Sequence, residues 1–172
     1  MHSYEQTSQA LWILSNHIHR QVDREEFQAF DDIETTQAVK FRIMRRLFGG
    51  EWASLKQRIT THQFVEKHRV VIVFKSLVAG EGPLSGIQTD ETGWITLQPS
   101  STGHGTVVEL CLKQVPLHLN SPMPEPAAQQ FNDMLKSVVQ ESNLEIFTAA
   151  EALLLEYAMI GINLLARRAR RR

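Results

Sequence analysis

Residues 31–65 read DDIETTQAVKFRIMRRLFGGEWASLKQRITTHQFV, and their periodicity decides the fold. At helical spacing, Ile33, Val39, Ile43, Met44 and Leu47 form one apolar stripe. Asp31 or Asp32 serves as N-cap, with acids in the first turn. Lys40, Arg42, Arg45 and Arg46 then cover much of the other side, and Gly49-Gly50 ends the helix as a C-cap glycine would. From Glu51 to Val65, Trp52, Leu55, Ile59 and Gln63 give the stripe of a further helix. This spacing predicts a helical hairpin with a solvated basic face. Phe41, Phe48 and Trp52 lie among its cations, where aromatic rings can stack on bases; Phe48 and Trp52 also sit at core spacing.

Towards the N-terminus, Leu11, Leu14, Ile18 and Val22 recur at three- and four-residue steps and predict a first helix over 4–22. His17 and His19 are two apart, so on a helix they face different sides and share no metal. Asp23 to Phe30 reads as an acidic connection or a short helical turn.

The period changes after His68. Val70 to Val78 (VVIVFKSLV) is continuous and β-branched, as a strand buried on both faces would be. Leu84 to Gln88 reads as a short edge strand. Trp94 to Gln98 alternates, and Thr106 to Gln114 sends Val108, Leu110 and Leu112 one way and Glu109, Cys111 and Lys113 the other. Short connections imply antiparallel neighbours, so a meander of three or four strands is expected. Pro116, Pro122 and Pro124 make the next stretch irregular, and Pro126 opens a helix through Phe131, Met134, Leu135 and Val138. Ser142-Asn143 separates it from a last helix, which begins near Leu144 or at the Thr148–Glu151 capping box.

That last run, LEIFTAAEALLLEYAMIGINLLA, is apolar nearly all round. Such a helix is buried in a core or between subunits, which makes Leu153, Leu154, Tyr157, Ile160 and Leu164 candidates for a homodimer contact. Glu151, Glu156 and Asn163 argue against a membrane span. The fold expected is therefore α+β: N-terminal helices, a three- to four-stranded antiparallel sheet and two C-terminal helices, in one domain over 1–166 with a basic tail over 167–172.

The net charge of −1 conceals a segregation. Residues 23–34 are acidic. Residues 40–69 carry eight cations against Glu51 and Glu66, and the tail adds Arg167, Arg168, Arg170, Arg171 and Arg172. One cysteine, Cys111, excludes an internal disulfide framework and fits a reducing, cytosolic or nuclear setting. The first residues have no basic stretch followed by an apolar one, so a secretory signal is not expected there.

Chemistry is sparse. The glycine-rich loops 80–86 and 100–105 lack the lysine and hydroxyl of a phosphate loop. Cys111 needs a base such as His104 or His118 to serve as a nucleophile. His62 and His68 have no metal-ligand spacing, and no metal or cofactor is implied. Phe41-Arg-Ile-Met-Arg-Arg-Leu, Gly82-Pro-Leu-Ser-Gly86 and Ile95-Thr96 resemble short stretches in the matrix proteins of animal rhabdoviruses. The proline-rich late-domain motif of that family is missing and the long terminal helix does not fit it, so no residue role is taken from it.

The functional expectation is a non-enzymatic binding or assembly protein. Lys40, Arg42, Arg45, Arg46, Lys56, Arg58, Arg69 and the five tail arginines would hold an anionic partner, nucleic acid ahead of a membrane surface. The alternatives are a peripheral membrane or matrix-like assembly protein, a partner-specific adaptor or chaperone, and a small enzyme using Cys111 or a histidine.

Overall fold

The computed structural model describes residues 3–14, 21–27, 34–47, 49–102, 105–118 and 125–169, with the backbone alone for His118 and 160–169. Helix α1 (Tyr4–Leu14) is followed by six strands, β1 (Val22–Phe27), β2 (Thr36–Arg46), β3 (Trp52–Val65), β4 (Val70–Glu81), β5 (Ile87–Pro99) and β6 (Thr106–His118), and then by helix α2 (Glu125–Ala169). The strands form one antiparallel sheet in the order β1-β2-β3-β4-β5-β6. The α+β class and the antiparallel sheet hold, but the element count is corrected at both ends of the chain.

The expected basic helical hairpin is a β-hairpin. Every residue from Thr36 to Arg46 pairs in register with one from His62 back to Trp52. Gly50 lies in the turn at φ 85°, a backbone conformation that glycine adopts freely. The physical reason is a period of two. Val39, Phe41 and Ile43 face the core, as do Ala53, Leu55 and Ile59, while Lys40, Arg42, Lys56 and Arg58 alternate with them. A helix would place Phe41 and Val39 on opposed sides and bury only one of them; the strand buries both on one face. The first helix is described over Tyr4–Leu14, and Val22–Phe27 is an edge strand rather than a connection. The helix stretch expected over 15–20, and Asp31 and Asp32 as caps, fall outside the described residues.

Two smaller corrections concern the remaining sheet. Along Val70–Glu81 the buried positions all fall on one face, where Phe74 is half-buried, and the other face is half-buried or exposed at Lys75, so β4 is not buried on both faces. The short strand at 84–88 and the one at 94–98 are a single strand, β5, entered through a 3-10 turn at Gly82–Leu84. That turn folds back over β4, and any Cβ on Gly80 would overlap the backbone oxygen of Leu84.

The two expected C-terminal helices are one. Ser142 and Asn143 are half-buried within α2. Neither residue removes an N–H or forces a left-handed backbone, so each costs a helix only fractions of a kcal/mol. Packing on the sheet outweighs that. At about 1.5 Å per residue, α2 is longer than the strands beneath it, and its last buried side chain among those described is Leu154. Leu155, Tyr157 and Met159 beyond it are exposed.

Two apolar clusters hold the helix down. In the first, Phe131, Met134, Leu135 and Val138 of α2 meet Phe41, Ile43, Ala53, Leu55, Val78, Leu84 and Ile87. In the second, Ala150 and Leu154 meet Val70, Ile72 and Leu97, with Ala10 and Leu11 of α1 closing the side. Phe131 is 1 % exposed and Leu144 is 70 % exposed on the same helix. Phe131→Ala should therefore cost about 3–5 kcal/mol in equilibrium denaturation. Leu144→Ala should stay within about 0.5 kcal/mol of the parent. Equal costs would contradict this placement of α2.

Candidate functional site

Between the two clusters α2 touches the sheet where Glu141 meets Arg45 but leaves a gap beside that contact. A cavity of ≈ 190 Å³ lies there, roofed by Val138, Val139, Ser142, Asn143, Ile146 and Phe147. Its floor is the inner sheet face, including Val39, Phe41, Ile59, Phe74, Ile95 and Leu112, and Leu11 of α1 closes one end. Apolar side chains dominate this wall, in the manner of small-molecule sites.

Strand register builds the floor row by row. One row across the sheet is Val39–Ile59–Ser76–Glu91–Gln114. It begins apolar on β2 and β3 and turns polar on β4, β5 and β6. The next row is Gln37–Thr61–Phe74–Gly93–Leu112. Gly93 lets the Phe74 ring lie across its strand: a Cβ on Gly93 would overlap the Phe74 ring and approach the backbone oxygen of Cys111. The phenyl thereby covers backbone that a side chain would otherwise shield.

Glu91 is the chemical feature of this floor. It is 3 % exposed. Gln114 donates to its Oε1 at 2.8 Å, and Gln57 donates to its Oε2 at 3.3 Å and to Ser76 Oγ at 2.9 Å. Burial pushes the Glu91 carboxyl above its ordinary range; hydrogen bonds from Gln114 and Ser76 pull it back, and the neighbouring Asp90 charge raises it further. No side-chain N or O atom is left buried without a partner among the described residues. Sequence alone does not single out Glu91, Gln57, Ser76 and Gln114, because a helical period over 51–65 hides β3 and the clear alternation of β5 starts only at Trp94. The available signal is phase. Glu91 shares the inward phase of Ile87, Ile95 and Leu97, a position where a charge is costly unless hydrogen-bonded.

The expected anion-binding residues lie elsewhere. Lys40, Arg42, Lys56 and Arg58 project from the outer face of the sheet, opposite the cavity. Lys40 pairs with Glu25 at 2.8 Å, and Arg42 pairs with Asp23 at 2.5 Å and Glu81 at 2.7 Å. Lys56 reaches Glu81 at 2.6 Å. Arg45 crosses to Glu141 of α2 at 2.5 Å, Arg69 holds Glu66 at 2.7 Å, and Arg46 donates to the Gly50 oxygen at 3.0 Å. Arg58 is exposed. The side chains of Arg167 and Arg168, and all of Arg170, Arg171 and Arg172, lie outside the described residues. Of the self-association residues, Leu154 is buried and Leu153 half-buried against α1 and the sheet, and Tyr157 is exposed; the side chains of Ile160 and Leu164 are outside the description.

Cys111 is exposed on the outer face. His104 and the side chain of His118 lie outside the described residues. Among the described residues no group of His, Cys, Asp and Glu could hold a metal, and no helix is long and apolar enough to cross a membrane. No protein-family model, curated protein or solved structure matches the chain.

Glu81 anchors the outer face. Arg42 and Lys56, with the Ser54 hydroxyl at 2.8 Å, hold its carboxyl down to about 2 from an ordinary 4.5. A depressed folded value means the stabilisation is complete above the unfolded value and is lost as pH falls towards about 2. Glu81→Gln should cost about 1–2 kcal/mol at neutral pH, since solvent at this partly exposed site screens the pairs. The gap between variant and parent should close progressively under acid denaturation between 4.5 and about 2. A gap that stays constant over that range would show that the ion pairs contribute nothing.

Proposed function

We propose that the protein binds a small, largely apolar molecule between α2 and the inner face of the sheet. One observation carries this reading: the cavity is walled mainly by apolar side chains of helix and sheet yet left unfilled, and the buried carboxylate of Glu91 lies among its lining residues. Unfilled apolar volume forfeits dispersion contacts. A ligand of matching shape restores them, while the Glu91 cluster fixes its orientation. That combination, an apolar wall with a few convergent polar groups, is the usual form of a small-molecule site.

The basic strands give weaker support to a nucleic-acid or membrane partner. Lys40, Arg42, Arg45, Lys56 and Arg69 already face carboxylates of the same chain. An anionic partner would have to displace those carboxylates. Coupling of the cavity to the long helix suits a carrier or sensor, in which occupancy beneath α2 sets how firmly the helix lies on the sheet.

The test is fluorescence titration with N-phenylnaphthylamine, a dye that is neutral at neutral pH and brightens in apolar surroundings. The full chain should bind it in the micromolar range typical of a modest apolar pocket, at about −8 kcal/mol. Val139→Trp and Ser142→Trp place an indole in the cavity from its roof and should each weaken binding by at least about tenfold, with melting temperature retained or raised. Unchanged dye affinity in both variants would place the dye elsewhere and contradict the proposal.

A further inference from the structure

We infer that the molecule held beneath α2 is a protonated amine on an apolar body, with its ammonium set against Glu91. This rests on the small-molecule reading of the cavity and adds the charge of the ligand. Glu91 is the one ionisable group among the residues that line the cavity. Among the described residues no lysine or arginine pairs with it, although carboxylates on the outer face are paired repeatedly. Both of its oxygens accept amide N–H bonds, from Gln114 and Gln57. Two donors suit a carboxylate, which only accepts, better than a carboxylic acid, which must also place a proton.

A buried carboxylate without a counter-ion carries a desolvation cost that its hydrogen bonds only partly offset. An ammonium entering the cavity supplies the missing charge and a charge-assisted hydrogen bond. Phe41, Phe74 and Phe147 line the same space, and aromatic faces attract a desolvated cation. A neutral ligand gains none of this. An anionic ligand would set a second negative charge beside the first in an apolar space. Glu91 and its partners Gln57, Ser76 and Gln114 form one polar spot spanning β3 to β6, while Val39, Ile59, Ile95 and Leu112 elsewhere on the lining are apolar. The ligand should therefore be asymmetric, with its ammonium at one end and hydrocarbon or aromatic surface at the other.

Three probes with one body separate the possibilities: phenylbutylamine, phenylbutanol and phenylbutyrate, titrated calorimetrically into the full chain at neutral pH. The amine should bind at least about tenfold tighter than the alcohol, as a hydrogen bond to a charged group allows, and the carboxylate probe should bind weakest. Glu91→Gln keeps the side-chain shape and removes the charge. It should abolish the amine's advantage over the alcohol, and a circular dichroism spectrum and melting temperature matching the unsubstituted protein show that the variant is folded. Equal affinity for amine and alcohol in the unsubstituted protein would overturn the inference while leaving the apolar cavity intact. An amine preference that survives in Glu91→Gln would overturn the assignment to Glu91. Failure of the neutral dye and all three probes would remove the cavity reading and this inference with it.

Discussion

The structure depends on one constraint: α2 must bury two separate apolar patches on the same sheet face. Phe131, Met134, Leu135 and Val138 form the first, and Ala150 and Leu154 form the second. Both patches are satisfied only if the helix runs unbroken between them. Once its ends are fixed, the segment from Val139 to Phe147 is held over the floor without filling it. Helix α1 reinforces the second anchor by covering Val70, Ile72 and Leu97 with Ala10 and Leu11. The cavity is thus a consequence of where the core is good, and Glu91 is tolerated because two glutamine amides reach it there.

The outer face obeys a different logic. The acidic segment at 23–27 and the basic segment at 40–46 are neighbouring strands, and Glu25 lies directly opposite Lys40 in register. Arg42 bridges Asp23 of β1 and Glu81 of β4, and Lys56 joins it on Glu81. Charge segregated along the chain is therefore largely neutralised across the sheet. Cross-strand ion pairs of this exposed kind contribute modestly one by one, but they fix which strand lies beside which. A slip of one residue would turn the cations of β2 into the core.

Part of this is legible in the residues alone. The β-branched run from Val70 and the alternation from Thr106 state a sheet, and Phe131 to Val138 state a helix facing it. The hairpin over 36–65 is ambiguous because Val39, Ile43 and Leu47 fit a four-residue step as well as a two-residue one, and Lys, Arg, Met and Leu are good helix formers. Phe41 discriminates between the two, since only a strand buries it beside Val39 and Ile43. The adjacent blocks of opposite charge are a second indication of a hairpin. Glu91 is one acid among many until its strand is extended back to Ile87, and its partners come from β3 and β6, which no local pattern brings together. The Ser142-Asn143 pair has the composition of a break. It is instead the roof of the cavity, where polar side chains lie over space rather than packed side chains.

The most direct measurement of the central claim is methyl NMR of the full chain under xenon pressure, because xenon enters apolar cavities large enough to hold it. The Ile59, Ile95, Val139 and Ile146 methyl groups, which line the space beneath α2, should shift in a saturable manner. Those of Leu84 and Leu97, each 0 % exposed in the close-packed clusters on either side, should shift far less. Uniform small shifts across all six residues would mean that helix and sheet are packed without a gap, leaving no space for a ligand beneath α2.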